Sequence, residues 1–95
     1  MPKIETLDAA RDAAISLGIP PHLIEPYSKE WTPPEPDDIR KILTAGGLSG
    51  SAAGALVGVD GRTIRKWTGG DRAMPYAALV VLLSAVGCGE IWHLK

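Results

Sequence analysis

The chain has 95 residues, a formal net charge of -1 at pH 7, and 45% hydrophobic residues. This length suits one domain with a modest core, so that burial at a dimer interface would add stability. Its single cysteine, Cys88, excludes an internal disulfide framework, and no cysteine–histidine spacing resembles a zinc site.

Residues 4–17 carry apolar side chains at the spacing of one helical face, which predicts an N-terminal helix. Gly18 and the prolines at 20 and 21 end it. The predicted buried face consists of Leu7, Ala10, Ala14 and Leu17.

Residues 19–36 hold six of the eight prolines, which predicts an extended arm rather than another long helix. Tyr27 and Trp31 lie within it, and such aromatic side chains usually cover a surface. We expect the arm to lie across the following domain or across a neighbouring subunit.

The next helix is predicted from about residue 34 to residue 45, because prolines are tolerated in a first helical turn. The same turn contains acidic side chains, which complement the positive amino-terminal end of the helix dipole. Its buried stripe is predicted to be Ile39, Ile42 and Leu43.

Residues 50–70 predict two short helices joined by a tight turn. Gly54 lies midway along the first helix, where two closely crossing helices need a small residue, and Gly58 supplies a permissive turn backbone. Ser49 or Ser51 caps the first helix and Asp60 caps the second. The second helix turns Ile64 and Trp67 inward and presents a basic, hydrogen-bonding face made of Arg62, Thr63, Arg65 and Lys66.

These segments, IRKIL, AGGLSG, GVDGRTIRKW, GG and MPYAALVVLL within residues 34–86, resemble the lambda-repressor-like helix-turn-helix regulators of the Cro and Xre type. They resemble small phage- and plasmid-borne transcriptional regulators more closely. Gly61 departs from the pattern, because the family often has a polar side chain near the start of the recognition helix. The resemblance implies a repressor that binds double-stranded DNA sequence-specifically, through the helix at residues 61–67 in the major groove.

The fold class predicted from these features is all-α: a compact helical helix-turn-helix domain with an N-terminal helix and a proline-rich arm. We divide the chain into residues 1–33, the helix and arm; 34–87, the DNA-binding domain; and 88–95, a tail with a dimer contact.

The predicted DNA contacts follow from the recognition helix and its surroundings. Arg62, Thr63 and Lys66 are assigned to bases, although solvated charges and an ordinary exposed threonine are the plain alternatives. Arg65 would contact a phosphate or form a salt bridge with Asp71. The residues assigned to the DNA backbone are Ser51, Arg65, Thr68 and Arg72.

The last helix, from Pro75 to Gly87, is apolar almost all round. One interpretation is a central helix surrounded by its own domain. The other is a twofold contact shared with the tail, which the resemblance favours, because such regulators usually bind pseudo-palindromic operators as homodimers. The predicted dimer contacts are Val80, Ile91, Trp92 and Leu94.

Charge divides unevenly: residues 1–38 hold three basic and eight acidic side chains, whereas residues 39–95 hold seven basic and three acidic ones. The basic half fits DNA. The acidic half supports an alternative, an antitoxin-like or adaptor module whose N-terminal segment binds a partner protein.

The sequence gives little support for an enzyme. His22 and His93 lack neighbours that would build a metal site or a nucleophile–base pair, so we expect no catalytic residue, metal or cofactor. The longest apolar run, residues 77–83, is too short to span a bilayer. We therefore expect a bacterial cytoplasmic protein, associated with the nucleoid, without a membrane segment.

Overall fold

The computed structural model describes residues 7–88, and the regular secondary structure of this part is helical. Its elements are α1 (Leu7–Ser16), a 3-10 turn (Pro21–Leu23), α2 (Pro36–Gly46), α3 (Gly50–Val57), α4 (Gly61–Thr68) and α5 (Tyr76–Ala85). The predicted all-α class is confirmed. Within the described range, no helix is long and apolar enough to cross a membrane.

Helix α5 has the most buried residues of the described helices, and α2 and α3 both pack against it. Leu79, Leu82 and Leu83 are fully buried, and Val80 is only 8% exposed. The domain itself therefore covers most of the Val80 side chain, and the dimer contact at this residue stays a prediction. Val81 is 39% exposed and is the large apolar side chain that α5 presents to solvent.

Helix α2 forms as its sequence predicts. The backbone N–H of Glu35 donates to Asp38 Oδ2 at 3.4 Å, completing a capping box at the first turn. The predicted stripe of Ile39, Ile42 and Leu43 is buried.

The N-terminal helix and the arm belong to the same core as α2 to α5. Ala10 and Ala14 of α1 are buried as predicted, whereas Leu17 is 39% exposed because α1 ends one residue before it. The arm adds apolar side chains that no periodicity marked. These buried arm residues are Ile19, Leu23 and Ile24.

The second half of the arm covers the start of α5. The rings of Trp31 and Tyr76 meet nearly at right angles, with centroids 5.3 Å apart, and Tyr27 packs edge-on against Tyr76 at 5.4 Å. The hydroxyl of Tyr76 donates to the backbone carbonyl of Glu25 at 2.8 Å. The arm thus lies across its own domain, the first of the two predicted placements.

Candidate nucleic-acid interface

Helix α3 begins at a side-chain cap. Ser49 Oγ accepts from the backbone N–H of Ala52 at 3.1 Å, so Ser49, rather than Ser51, is the N-cap. Ser51 lies in the first turn with an exposed side chain, and its hydroxyl forms no hydrogen bond to the described residues. Ser51 is therefore available to an external acceptor.

The crossing of α3 and α4 depends on Gly54, as predicted. A Cβ atom on this residue would lie 2.5 Å from the carbonyl oxygen of Val59, a backbone atom that cannot move aside without moving the turn. Gly58 then ends α3 in a left-handed conformation with φ of 89°, which favours glycine. Two glycines thus fix how closely α4 approaches α3.

Asp60 fixes the start of α4. Its Oδ1 accepts from the backbone N–H of Thr63 at 2.8 Å and from the Thr63 hydroxyl at 2.9 Å. The hydrogen bond from the Thr63 backbone is the main cause that lowers the pKa of Asp60 below its usual 3.8, and Arg62 and Lys66 lower it further. The cap also uses the hydroxyl proton of Thr63.

Helix α4 has one apolar face and one cationic face. Ile64 and Trp67 are 1% and 5% exposed, which confirms both as core residues. Arg62 and Arg65 are exposed and Lys66 is half-buried. Within residues 7–88, none of these three cations forms a hydrogen bond or an ion pair with its own chain. The outer face of α4 therefore presents three cations that form no close ion pair with the described residues, and the Asp60 carboxylate attracts Arg62 and Lys66 only from a longer distance.

The predicted backbone contacts separate into two groups. A Cβ on Gly61 would lie 3.4 Å from Ser51 Oγ and 3.5 Å from Arg65 Nη1, so the side chains of Ser51 and Arg65 both lie beside Gly61 at the start of α4. The predicted alternative for Arg65, a salt bridge to Asp71, is absent from the described ion pairs.

Thr68 and Arg72 form the second group, at the far end of α4. The Thr68 hydroxyl donates to the carbonyl of Arg65 at 3.3 Å. Because its proton is already used, this hydroxyl is less suited to donate a hydrogen bond to a phosphate. Arg72 is exposed just beyond the helix, and its side chain forms no hydrogen bond or ion pair with the described residues.

Sequence reasoning missed Arg40 of α2. Its Nη1 donates to the backbone carbonyl of Thr68, and its Nη2 lies 3.4 Å from Asp37 Oδ1. Arg40 and Arg65 border an open groove of about 510 Å³ between α2 and α4. Its lining residues are Arg40, Leu43, Thr44, Gly47, Leu48, Gly50, Ile64, Arg65 and Thr68.

The remaining predicted dimer contacts, Ile91, Trp92 and Leu94, lie outside the described residues. In the part that the structure describes, no three histidine, cysteine, aspartate or glutamate side chains form a group that could hold a metal ion. Cys88 is buried, which raises the pKa of its thiol.

Comparison with known proteins gives one consistent relationship. No protein-family model matches the chain, and no solved structure matches it. The chain is 37% identical over 68 residues to each of two Escherichia coli proteins described as "Transcriptional repressor protein KorC". The aligned region covers 68% of this chain and 80% of each relative.

Proposed function

The chain belongs to the KorC family of transcriptional repressors, and on this premise we propose that it represses transcription by binding a double-stranded DNA operator. Helix α4 enters the major groove in this proposal. Its outer face lies against the base edges, and the start of α3 lies beside the sugar–phosphate backbone.

The observation that supports this proposal most strongly is the outer face of α4. Arg62, Arg65 and Lys66 have no described carboxylate partner, and the opposite face is anchored in the core by Ile64 and Trp67. Unpaired cations on a rigidly held helix suit a polyanion, because no intramolecular ion pair has to break before binding.

The base contacts differ in chemistry. We assign Arg62 to a guanine, whose O6 and N7 match the two parallel donors of a guanidinium, and Lys66 to a neighbouring acceptor. Because the Thr63 hydroxyl donates to Asp60, the methyl group of Thr63 is the part left to contact a thymine methyl.

The backbone contacts are assigned by position. Ser51 and Arg65 both lie beside Gly61 at the start of α4, and we assign them to one phosphate of the DNA backbone. Arg72 would bind a second phosphate beyond the end of α4. Thr68 is the weakest of the proposed contacts, because its hydroxyl already has an acceptor.

We propose a homodimer that binds a pseudo-palindromic operator with half-site centres about 10 base pairs apart, which places both α4 helices on one face of the duplex. Ile91, Trp92 and Leu94 form its contact together with the exposed side of α5 at Val81. Light scattering of a Trp92→Lys variant tests this assembly. We expect weaker self-association and weaker operator binding in parallel, and a wild-type monomer bound singly to the operator would contradict it.

The alternative is a protein-interaction module that uses the acidic N-terminal segment. Ile15 and Tyr27 are 61% and 66% exposed, the largest values among the exposed large apolar side chains of this segment, and a partner protein would cover them. Ile19, Leu23 and Ile24, in contrast, are already buried in the chain's own core. Copurification of a second protein that is lost in an Ile15→Lys variant would favour this alternative.

Selection of bound duplexes from a random pool, followed by a promoter assay with the selected site, tests the proposed function. We expect one preferred sequence with twofold symmetry, and lower expression from a promoter that contains it. Retention of random duplexes without any preference would contradict sequence-specific repression.

A further inference from the structure

We propose that Arg40 of α2 is a positioning residue that holds the carboxyl end of α4 in the orientation needed for operator recognition. This inference rests on the proposed function, because it concerns the helix that we place in the major groove. Arg40 would act through α4, without a base or phosphate contact of its own.

The last turn of any helix leaves four carbonyl groups without partners inside the helix. In α4 the following chain satisfies three of them. The donors are Gly69 N to the Arg65 carbonyl at 2.8 Å, Asp71 N to the Lys66 carbonyl at 2.8 Å, and Gly70 N to the Trp67 carbonyl at 3.3 Å.

The fourth carbonyl, that of Thr68, accepts from Arg40 Nη1. This donor comes from another helix, 28 residues earlier in the chain. The guanidinium also places a positive charge at the carboxyl end of α4, where the helix dipole favours a cation. Arg40 therefore completes the cap of α4 and joins that end to α2.

Asp37 holds the guanidinium from the other side, since its Oδ1 lies 3.4 Å from Arg40 Nη2. A planar guanidinium spreads its donors over separate nitrogens in fixed directions and so serves two separated acceptors, whereas the three donors of an ammonium group all rotate about one nitrogen. Lys41 provides an internal comparison: it lies 3.9 Å from the same Asp37, and no hydrogen bond from it to α4 is present in the described range.

This cap has a consequence for recognition. Arg62 and Lys66 lie one turn apart on α4, so rotation of its carboxyl end would displace the two side chains by different amounts. Contacts to base edges depend on geometry within fractions of an ångström, whereas attraction to phosphates tolerates such displacement. Loss of Arg40 should therefore weaken binding to the operator more than binding to random duplex.

The test compares Arg40→Gln, Arg40→Lys and Lys41→Gln with the wild type. Affinity is titrated on the selected operator and on a random duplex of equal length, each over a range of salt concentrations. For Arg40→Gln we expect roughly tenfold weaker operator binding, by analogy with the loss of one charged hydrogen bond, with unchanged affinity for random duplex and an unchanged salt slope. Arg40→Lys should recover part of the loss, and Lys41→Gln should match the wild type.

Two results would overturn the positioning role. Equal weakening on both duplexes, with a salt slope smaller by about one per subunit, would make Arg40 a phosphate contact instead. If Arg40→Gln distinguished the operator from random duplex as well as the wild type does, the hydrogen bond to the Thr68 carbonyl would have no part in recognition. Thermal unfolding of each variant is measured as a control for folding. Asp37→Asn, which weakens the hold on the guanidinium without removing it, should reduce the preference for the operator over random duplex by less than Arg40→Gln does.

The wild-type titration separates this inference from the proposed function. If wild-type protein does not distinguish the selected site from random duplex, the proposed function fails. If it does, and Arg40→Gln distinguishes them equally well, only the role of Arg40 fails.

Discussion

Two pairs of adjacent basic residues, Arg40–Lys41 on α2 and Arg65–Lys66 on α4, look alike in the sequence and differ in the structure. The α2 pair shares the carboxylate of Asp37, at 3.4 Å from Arg40 and 3.9 Å from Lys41. The α4 pair has no ion-pair partner in the described part of the chain.

The difference arises from what precedes each pair. Asp37 lies one turn before the α2 pair and is free to bind it, because Glu35 and Asp38 form the capping box. The acidic residue that precedes the α4 pair, Asp60, is engaged in capping at Thr63. Availability to a polyanion therefore depends on how nearby carboxylates are used, and net charge does not reveal it.

The largest expected effect comes from displacing α4 from α3, because the outer face of α4 is then no longer held in position. Gly54→Ala puts a methyl group 2.5 Å from the Val59 carbonyl oxygen, so we expect a loss of about 3 kcal/mol in the free energy of unfolding. Denaturant unfolding monitored by circular dichroism measures it. Gly50→Ala in the same helix is the matched control: its nearest neighbours would lie 3.9 Å away, and it should be neutral or stabilising. Equal stability of both variants would refute the close crossing.

Truncation of the two outer-face side chains tests the comparison directly. Arg62→Ala and Lys66→Ala should each weaken operator binding by about 1–3 kcal/mol while leaving thermal stability nearly unchanged, because Ile64 and Trp67 are the side chains that anchor α4 in the core. Lys41→Ala, which removes a cation from the α2 pair, should have no such effect. Operator affinity is measured by fluorescence anisotropy titration. Equal affinities of the three variants would contradict a difference in DNA binding between the basic residues of α2 and those of α4.

A smaller effect concerns salt. The logarithm of operator affinity should fall linearly with the logarithm of salt concentration, with a slope near -0.9 for each phosphate contact. Arg65→Ala and Arg72→Ala should each reduce the magnitude of that slope by about one per subunit. Binding that does not depend on salt would rule out an electrostatic role for the unpaired cations.

The smallest expected effect is that of pH on Asp60. Its pKa is lowered in the folded protein, so the unfolded chain binds more protons, and the cap stabilises the fold fully only above the usual value of 3.8. Stability should decrease as the pH falls through 3.8 toward the lowered pKa. An Asp60→Asn variant should lose this part of the pH dependence in acid unfolding, and an unchanged acid profile would contradict the capping role.

Local patterns in the sequence predicted much of the fold. Gly54, Gly58 and Asp60 each satisfy a requirement of one turn or one helix end, and the spacing of Ile64 and Trp67 fixes the inner face of α4. Such features depend on neighbours within a few residues, so that spacing alone identifies them.

Features that depend on distant neighbours were missed. The acceptor of Arg40 is a backbone carbonyl, which every residue has, so nothing in the sequence marked Thr68 as its partner. The burial of Ile19 and Ile24 was hidden because the prolines of the arm leave no periodicity. The burial of Val80 was not predicted, since an all-apolar helix does not indicate which side its own domain covers.

The central claim, that the outer face of α4 determines operator sequence, is tested most directly by repeating the duplex selection with variants. We predict that Arg62→Ala selects sites relaxed at one base pair in each half-site, related by twofold symmetry, while Lys41→Ala selects the wild-type sequence. An Arg62→Ala variant that selects the wild-type sequence at every position would contradict the claim.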